Sequence, residues 1–556
     1  MGEEEQKTTG ILLFSVFVAV IGNSFLYGYN IGVVNTPALL IQEFYNKTYY
    51  ERNGGKWEDV VNYEKYLKAS ETNTTQNYSS TNPASTPTIL MPVGDNLQPE
   101  FFGVDKSKLL EKWQLEILWS VTVALFVFFG MIGAFSSAKV ADFVGRKKGM
   151  IVITIIMFVA AILGGIPLAI KSPEVLMLSR VFVGLHSGLN ISLCPLYLAE
   201  ISPRKIRGAI GTCHQLAITI GILVAQIFGL RELLGTPTLW PLLFAFNAVP
   251  SLMCLVLMPF CPESPRFLLI KKGQEEDARK VLQALRGGDH NIEEEMEEMR
   301  VEARKSQGIK NFTIKELVTS PSLRLPVIIA CLIQVVQQWS GINAVMSYSA
   351  FIFAQASVPI LYIPYVIVGT GTINVLCTVI AVPLMEKLGR RPLLLWPMGV
   401  MCLSFIILTI FLNLMGKPDL LTHQQTFAYV CIIAAHTYII GFALGLGPIP
   451  FIVVSEIFRQ EPRAAAMSLS LAFNWICNFI LMLVFPFMKD GMGEYTYIVF
   501  SIILAAAIVF IFFFVPETKN KTFDEIANSI AFGRAKGPSQ SYAFDDEAAP
   551  MGNSKV

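Results

Sequence analysis

Asp142-Phe143-Val144-Gly145-Arg146-Lys147 returns later in the chain as Glu386-Lys387-Leu388-Gly389-Arg390-Arg391. Two further stretches recur at a similar separation. Glu200-Ile-Ser-Pro-Arg-Lys-Ile-Arg207 comes back as Glu456-Ile-Phe-Arg-Gln-Glu-Pro-Arg463, and Pro262-Glu263-Ser264 as Pro516-Glu517-Thr518. Each copy stands at the end of a long apolar run. The chain therefore reads as a tandem duplication of two parallel halves, with charged loops gathered on one side of a membrane.

Composition agrees: of 556 residues 53% are hydrophobic and 15% charged, the balance of a membrane protein. About 20 apolar residues at about 1.5 Å rise cross the hydrocarbon layer. Twelve runs meet that length, near 11–36, 117–138, 149–170, 175–199, 208–230, 238–260, 325–350, 361–385, 392–416, 424–455, 464–488 and 495–515. Hydrocarbon offers no partner to an unpaired backbone amide, so every run is expected to be helical. The predicted fold class is an all-α membrane protein of twelve transmembrane helices in two six-helix halves. The halves cover 11–260 and 325–515, joined by a cytosolic helical linker at 261–324 and flanked by a cytosolic N-terminus at 1–10 and a tail at 516–556.

Charge distribution sets the orientation. The net charge is +1 and suggests no nucleic-acid partner. Lys139, Arg146, Lys147 and Lys148 follow the second run, Arg204, Lys205 and Arg207 the fourth, Lys387, Arg390 and Arg391 the eighth, and Arg459 and Arg463 the tenth. Opposite loops, with Lys171 beside Glu174 or Lys417 beside Asp419, are nearly balanced. By the positive-inside rule both termini and the linker face the cytoplasm. The first run is too long for a signal peptide and shows no convincing cleavage site, and Gln6 breaks the myristoylation pattern. All nine cysteines lie in or beside apolar runs, so neither a disulfide framework nor a metal site is implied.

The outside loop at 43–115 is rich in Asn, Ser and Thr and reads as irregular. Asn46, Asn73 and Asn77 within it match the glycosylation pattern; Asn311 and Asn520 match too but lie on the cytoplasmic side. In the linker, Ala278, Val281, Leu282 and Leu285 share one helical face, a second charged helix should begin near Ile292, and the tail after Phe523 reads as loose.

Inside the runs the one formal charge is Arg180, near the outer end of its run, where snorkelling can satisfy it. An intramembrane carboxylate is the usual means of binding a coupling ion, and none is present, which argues for downhill transport. No His-Glu-x-x-His, nucleophile elbow or phosphate-binding loop occurs, which argues against an enzyme, and no cofactor is implied. Neutral amides take the place of charges. Gln334, Gln337, Gln338 and Gly341 share one face of the seventh run, whereas Asn343 reaches that face only if the helix breaks near Ser340-Gly341. Gln215, Asn374, Asn474 and Asn478 add to the set, either as glue between helices or as the lining of a polar cavity. Amides suit neutral hydroxyls, and Trp475, Phe442, Phe451 and Tyr348 could cover the C–H faces of a sugar ring. Gly445-Leu-Gly447-Pro448-Ile-Pro450 should break the tenth helix.

Tyr27-Gly-Tyr-Asn30, Asp142-x-x-Gly-Arg, Pro262-Glu-Ser-Pro-Arg266, Gln337-Gln-Trp-Ser-Gly-Ile-Asn343, Gly447-Pro-Ile-Pro450 and Pro516-Glu-Thr-Lys519 together resemble the sugar porters of the major facilitator superfamily, specifically the animal facilitative hexose transporters. The resemblance covers about 10–525. It implies a two-half bundle working by alternating access in the plasma membrane. It also implies a hexose substrate, with a sugar-contacting set of Gln215, Ile222, Gln337, Gln338, Ile342, Asn343, Asn374, Phe442, Phe451 and Asn474. Arg146, Glu200, Arg207, Arg390, Glu456 and Arg463 resemble the family's inter-helix gating charges. Trp339, Phe451 and Ala443 depart from many glucose carriers, the first two in the expected wall of the site. The leading reading is an uncoupled D-glucose uniporter. A fructose carrier is the alternative, since Tyr27-Gly-Tyr-Asn30, Val34-Asn-Thr-Pro-Ala-Leu-Leu40 and Gly369-Thr-Gly-Thr-Ile-Asn374 look closer to that branch, and a sugar-sensing receptor is an alternative of another class.

Overall fold

The computed structural model describes residues 9–62, 105–203, 206–287, 292–308, 313–415, 417, 422–458, 460–519, 521 and 523–532. Among them, eleven helices are long and apolar enough to cross a membrane. The last, Ala465–Phe514, runs to 50 residues and contains two crossings. Helix Gln460–Met492 ends at Gly493, which turns with φ +55°, and Thr496–Phe514 returns against the ninth span. The spans in order are Gly10–Gly32, Trp113–Val144, Arg146–Gly165, Pro173–Ile201, Arg207–Phe228, Trp240–Phe260, Pro321–Gln355, Ile363–Leu388, Arg390–Met415, Gln424–Ile457 and those two.

Small residues let the helices approach, as expected where lipid removes any hydrophobic drive for helices to associate. A Cβ on Gly188 of the fourth span would fall 1.9 Å from the Gly130 carbonyl of the second. Between halves, the second span meets the eleventh, where Gly130 faces the Trp475 ring and Phe128 lies 5.3 Å from Phe479. The fifth span meets the eighth, where Gly371 lies against Gln226.

The duplicated motifs converge on one device. Gly145 has φ +96° and ψ 175°, and Gly389 has φ +88° and ψ 177°, a region open essentially to glycine alone. The chain reverses there between adjacent spans, which leaves the first amides of the next helix without partners. The Glu263 carboxylate accepts from the N–H groups of Arg146 (3.1 Å) and Lys147 (3.0 Å), and Glu517 does the same for Arg390 and Arg391, both at 3.0 Å. The negative charge also complements the helix dipole. The arginine side chain following each glycine clasps a third duplicated residue. Arg146 binds Glu200 through two hydrogen bonds of 2.8 Å, and Arg390 binds Glu456 at 2.8 Å.

Two segments depart from expectation. The start of the outer loop is helical at Ala38–Arg52, because Ile41, Phe44, Tyr45 and Thr48 form a buried stripe. Tyr45 donates to or accepts from Thr122 at 2.8 Å, and Arg52 pairs with Glu174 at 2.6 Å. The tail, expected to be loose, forms helix Phe523–Phe532 and buries Ile526 and Ile530. The linker helix Glu275–Arg286 buries Ala278, Leu282 and Leu285 as its periodicity predicts. Arg286 anchors it, donating to the Ile201 carbonyl at the end of the fourth span (2.8 Å) and pairing with Glu295 (2.9 Å).

Gly145→Ala should destabilise the protein by about 1–3 kcal/mol, because the new Cβ forces a strained backbone toward Glu263 and Phe267. The readout is the apparent melting temperature of the purified protein. Gly399→Ala, where a Cβ would meet open space, should leave it unchanged.

Candidate functional site

Both expected helix breaks are present, and they face one another. Gly341 takes φ +91° between Arg324–Trp339 and Ile342–Gln355. The tenth span ends one helix at Leu444 and begins the next at Ile449. The carbonyls freed by that second break are not left unpaired: Gln337 Nε2 donates to those of Leu446 (2.7 Å) and Gly447 (3.1 Å).

Between the halves lies a cavity of about 1170 Å³. Gln215, Ile222, Gln337, Gln338, Ile342, Asn343, Asn374, Phe442, Phe451 and Asn474 all line it. Asn474 is the hub of the amides. Its Nδ2 donates to Gln334 Oε1 (2.8 Å) and Gln337 Oε1 (2.7 Å), while its Oδ1 accepts from Gln338 Nε2 (2.9 Å). The kink at Gly341 carries Asn343 round so that its Nδ2 donates to Gln338 Oε1. Gln215 from the first half and Asn374 from the second also face the cavity. Neither side-chain amide has a protein hydrogen-bond partner among the described residues. The Trp475 Nε1 and Asn478 Oδ1 are likewise buried in the wall without partners.

Some expected wall residues stand elsewhere. Trp339 is half-buried and does not line the cavity, because the helical register turns it away from its neighbour Gln338. Tyr348 packs 5.1 Å from the Phe485 ring and donates to the Met482 carbonyl. Arg180, by contrast, does line the cavity, and it does not snorkel: it is 1% exposed, lies 4.6 Å over the Phe126 ring, and donates to the Asn30 carbonyl at 3.3 Å. Asn46 sits in a helix with its Oδ1 accepting from the Leu110 amide (3.2 Å), whereas Asn73 and Asn77 lie outside the described residues.

The cavity extends past Ala138, Pro195, Gly211, Met385 and Met467 to the helix ends beside the charged loops. At the opposite end the halves touch, and Asn35 Nδ2 at the end of the first span donates to Ser349 Oγ of the seventh. At the open end, Arg146 with Glu200 and Arg390 with Glu456 each pair within one half. Arg463 donates to the Phe458 carbonyl, and the Arg207 side chain lies outside the described set. Glu263 and Glu517, which clamp the turns, were not singled out individually from the sequence, although the repeat itself pointed to them.

Residues 15–529 match the sugar (and other) transporter family. The chain is 38% identical over 529 residues to mouse solute carrier family 2, facilitated glucose transporter member 4, covering 95% of this chain and 92% of that protein. It is 37% identical over 552 residues to chicken member 1, covering 99% of each, and 37% over 523 residues to human member 5, covering 94% and 92%. Among solved structures, the partially occluded inward-open xylose transporter XylE of E. coli superposes with a TM-score of 0.67 at 22% identity, covering 92% of this chain and 100% of that one. XylE bound to 6-bromo-6-deoxy-D-glucose gives 0.67 at 21% identity, with 94% and 100% covered.

Ser349→Ala should loosen the closed end of the cavity by removing one hydrogen bond between halves, worth about 0.5–1.5 kcal/mol. In a background stripped of the native cysteines, Val34→Cys should then react about two- to tenfold faster with an impermeant thiol reagent added from the face opposite Arg146. An unchanged rate would mean that the Asn35–Ser349 contact does not hold this end shut.

Proposed function

The chain belongs to the sugar (and other) transporter family, and from that premise we propose that it is an uncoupled hexose uniporter of the plasma membrane, with D-glucose as its substrate. Its charged helix ends face the cytoplasm, so the cavity is open inward. The observation that carries the reading is the chemistry of the cavity wall. No Asp or Glu lines it among the described residues, the Arg180 guanidinium is engaged by the Asn30 carbonyl and the Phe126 ring, and the amide cluster around Asn474 supplies donors and acceptors in one place. That inventory suits neutral hydroxyl groups.

Absence of coupling rests on Asn30, at the position where proton-linked porters resembling this chain carry Asp. Asn30 Nδ2 donates to Asn247 Oδ1 (2.8 Å) and to the Leu26 carbonyl (2.9 Å), and an amide takes up no proton in the working pH range. Preference for glucose rests on Phe442, Phe451 and Asn474. The fructose-selective branch tends to place His at the first and last of these and a small residue at the second. The fructose reading draws on the Val34–Leu40 and Gly369–Asn374 stretches and on the 37% identity to human member 5.

Sugar contact falls to Gln215, Ile222, Gln337, Gln338, Ile342, Asn343, Asn374, Phe442, Phe451 and Asn474. Arg146, Glu200, Arg207, Arg390, Glu456 and Arg463 form the facing bases of the two halves, which approach when the cavity closes inward and opens outward. Arg146 with Glu200 (8% and 10% exposed) and Arg390 with Glu456 (20% and 27%) are already paired within each half, so closure draws on the network rather than on one pair.

In liposomes containing only this protein, labelled glucose should equilibrate under an imposed pH gradient and never accumulate. Accumulation that a protonophore collapses would overturn the uniport reading. Fructose uptake exceeding glucose uptake and resisting glucose competition would overturn the substrate. Gln338→Ala removes an amide from the cluster at a cost of about 1–3 kcal/mol, so glucose uptake at low substrate should fall roughly tenfold or more with unchanged protein in the membrane.

A further inference from the structure

The fifth span lies against the first with their backbones in contact. A Cβ on Gly28 would fall 1.9 Å from the Ile218 carbonyl, and one on Gly221 would fall 2.3 Å from that of Phe25. One turn before Ile218 stands His214, whose Nδ1 is 2.6 Å from Ser24 Oγ. Ser24 is fully buried, and its oxygen also lies 3.2 Å from Cys194 Sγ on the fourth span. It belongs to a π-helical segment, Val20–Phe25, of the first span. Such widened turns re-aim the side chains around them and occur frequently at functional sites. Held between a fixed hydroxyl and two touching backbones, the imidazole has little freedom to turn.

The ring lines the cavity beside Gln215. Its Nε2 has no hydrogen-bond partner among the described residues, and a neutral ring offers there one donor or one acceptor, according to how the Ser24 hydroxyl is turned. This matters because the amide hub belongs wholly to the second half: Gln334, Gln337, Gln338, Asn343 and Asn474 all follow the linker. A ligand bonded to one half alone cannot favour a state in which both halves close on it, since it would interact equally with the open and closed forms. Recognition therefore needs polar groups on the first half. Gln215 is one, and His214 stands next to it.

We infer that His214 is a further specificity-determining residue, whose Nε2 hydrogen-bonds a single hydroxyl of the hexose while Ser24 acts as the positioning residue that fixes the ring. The inference rests on the hexose reading above. Its test is uptake of glucose and of each monodeoxyglucose by liposomes containing the full chain. His214→Ala should raise KM for glucose about tenfold, yet leave it within about twofold for the one analogue that lacks the partner hydroxyl. His214→Gln, which restores a donor and an acceptor, should return KM to within about threefold of the parent, and Ser24→Ala should show the same analogue pattern as His214→Ala with a smaller rise. An equal loss on every analogue, or no loss on any, would overturn the role of His214 while glucose uptake by the parent upholds the hexose reading. A parent protein that carries no hexose would overturn both.

Discussion

Two carboxylates, each closed over backbone amides that follow a glycine, hold the rest of the molecule in place. Glu263 and Glu517 satisfy the first N–H groups of the third and ninth spans at turns that no side-chain-bearing residue enters without strain. Each clamp fixes the end of one span to the segment that closes the same half. The arginine after the glycine then ties in the fourth or tenth span through Glu200 or Glu456. Four of the six spans of each half are joined in this way, which favours movement of each half as a unit. That is the precondition for a cavity that can open on either side without its walls dissolving.

Within this frame the two halves are built differently. The first half is stitched by glycines that bring backbones to contact, at Gly28, Gly184, Gly188 and Gly221. The second half contains the two broken helices, and Gln337 bridges them: its Nε2 holds the freed carbonyls of the tenth span while its Oε1 accepts from Asn474. Both polar ends of Gln337 are therefore committed to protein partners. A hydroxyl that captured either end would loosen the hinge at Gly445–Gly447. Gln215 and Asn374 have no side-chain hydrogen-bond partner to give up among the described residues.

Much of this was legible in the sequence, for identifiable reasons. Spans follow from length and apolarity, and both helix breaks from glycine and proline, whose backbone restrictions hold in any environment. Asn343 was expected to rejoin its neighbours only through a kink at Gly341, and the kink is there. Facing was harder to read. Trp339 is expected in the wall from the resemblance and Tyr348 from its aromatic face, but the register of each helix segment is set by tertiary packing that spacing alone does not encode. The stripe of Ile41, Phe44, Tyr45 and Thr48 was masked by the polar composition around it, and the tail helix by a sequence that is polar on average. His214 gave no signal, because a single imidazole in an apolar run is equally at home as a satisfied core residue. Its pairing with Ser24 depends on a π-turn that no local pattern announces.

The pairing of the amides bears on the transport cycle. On the uniport reading the carrier returns without a coupling ion, and net flux is limited by the slower of the loaded and unloaded crossings. An empty site with orphaned polar groups in a dry interior would resist that return, since each such group costs about 1–3 kcal/mol. Gln334, Gln337, Gln338, Asn343 and Asn474 are hydrogen-bonded to one another, whereas Trp475 Nε1 and Asn478 Oδ1 in the same wall have no partner among the described residues. A sugar hydroxyl entering the cluster would exchange amide–amide bonds for amide–hydroxyl bonds of similar strength. Neither form carries an unpaired carboxylate across the membrane. On the uniport reading, a neutral, mutually bonded amide cluster lets both legs of the cycle proceed with comparable barriers, and the gradient of sugar alone sets the direction.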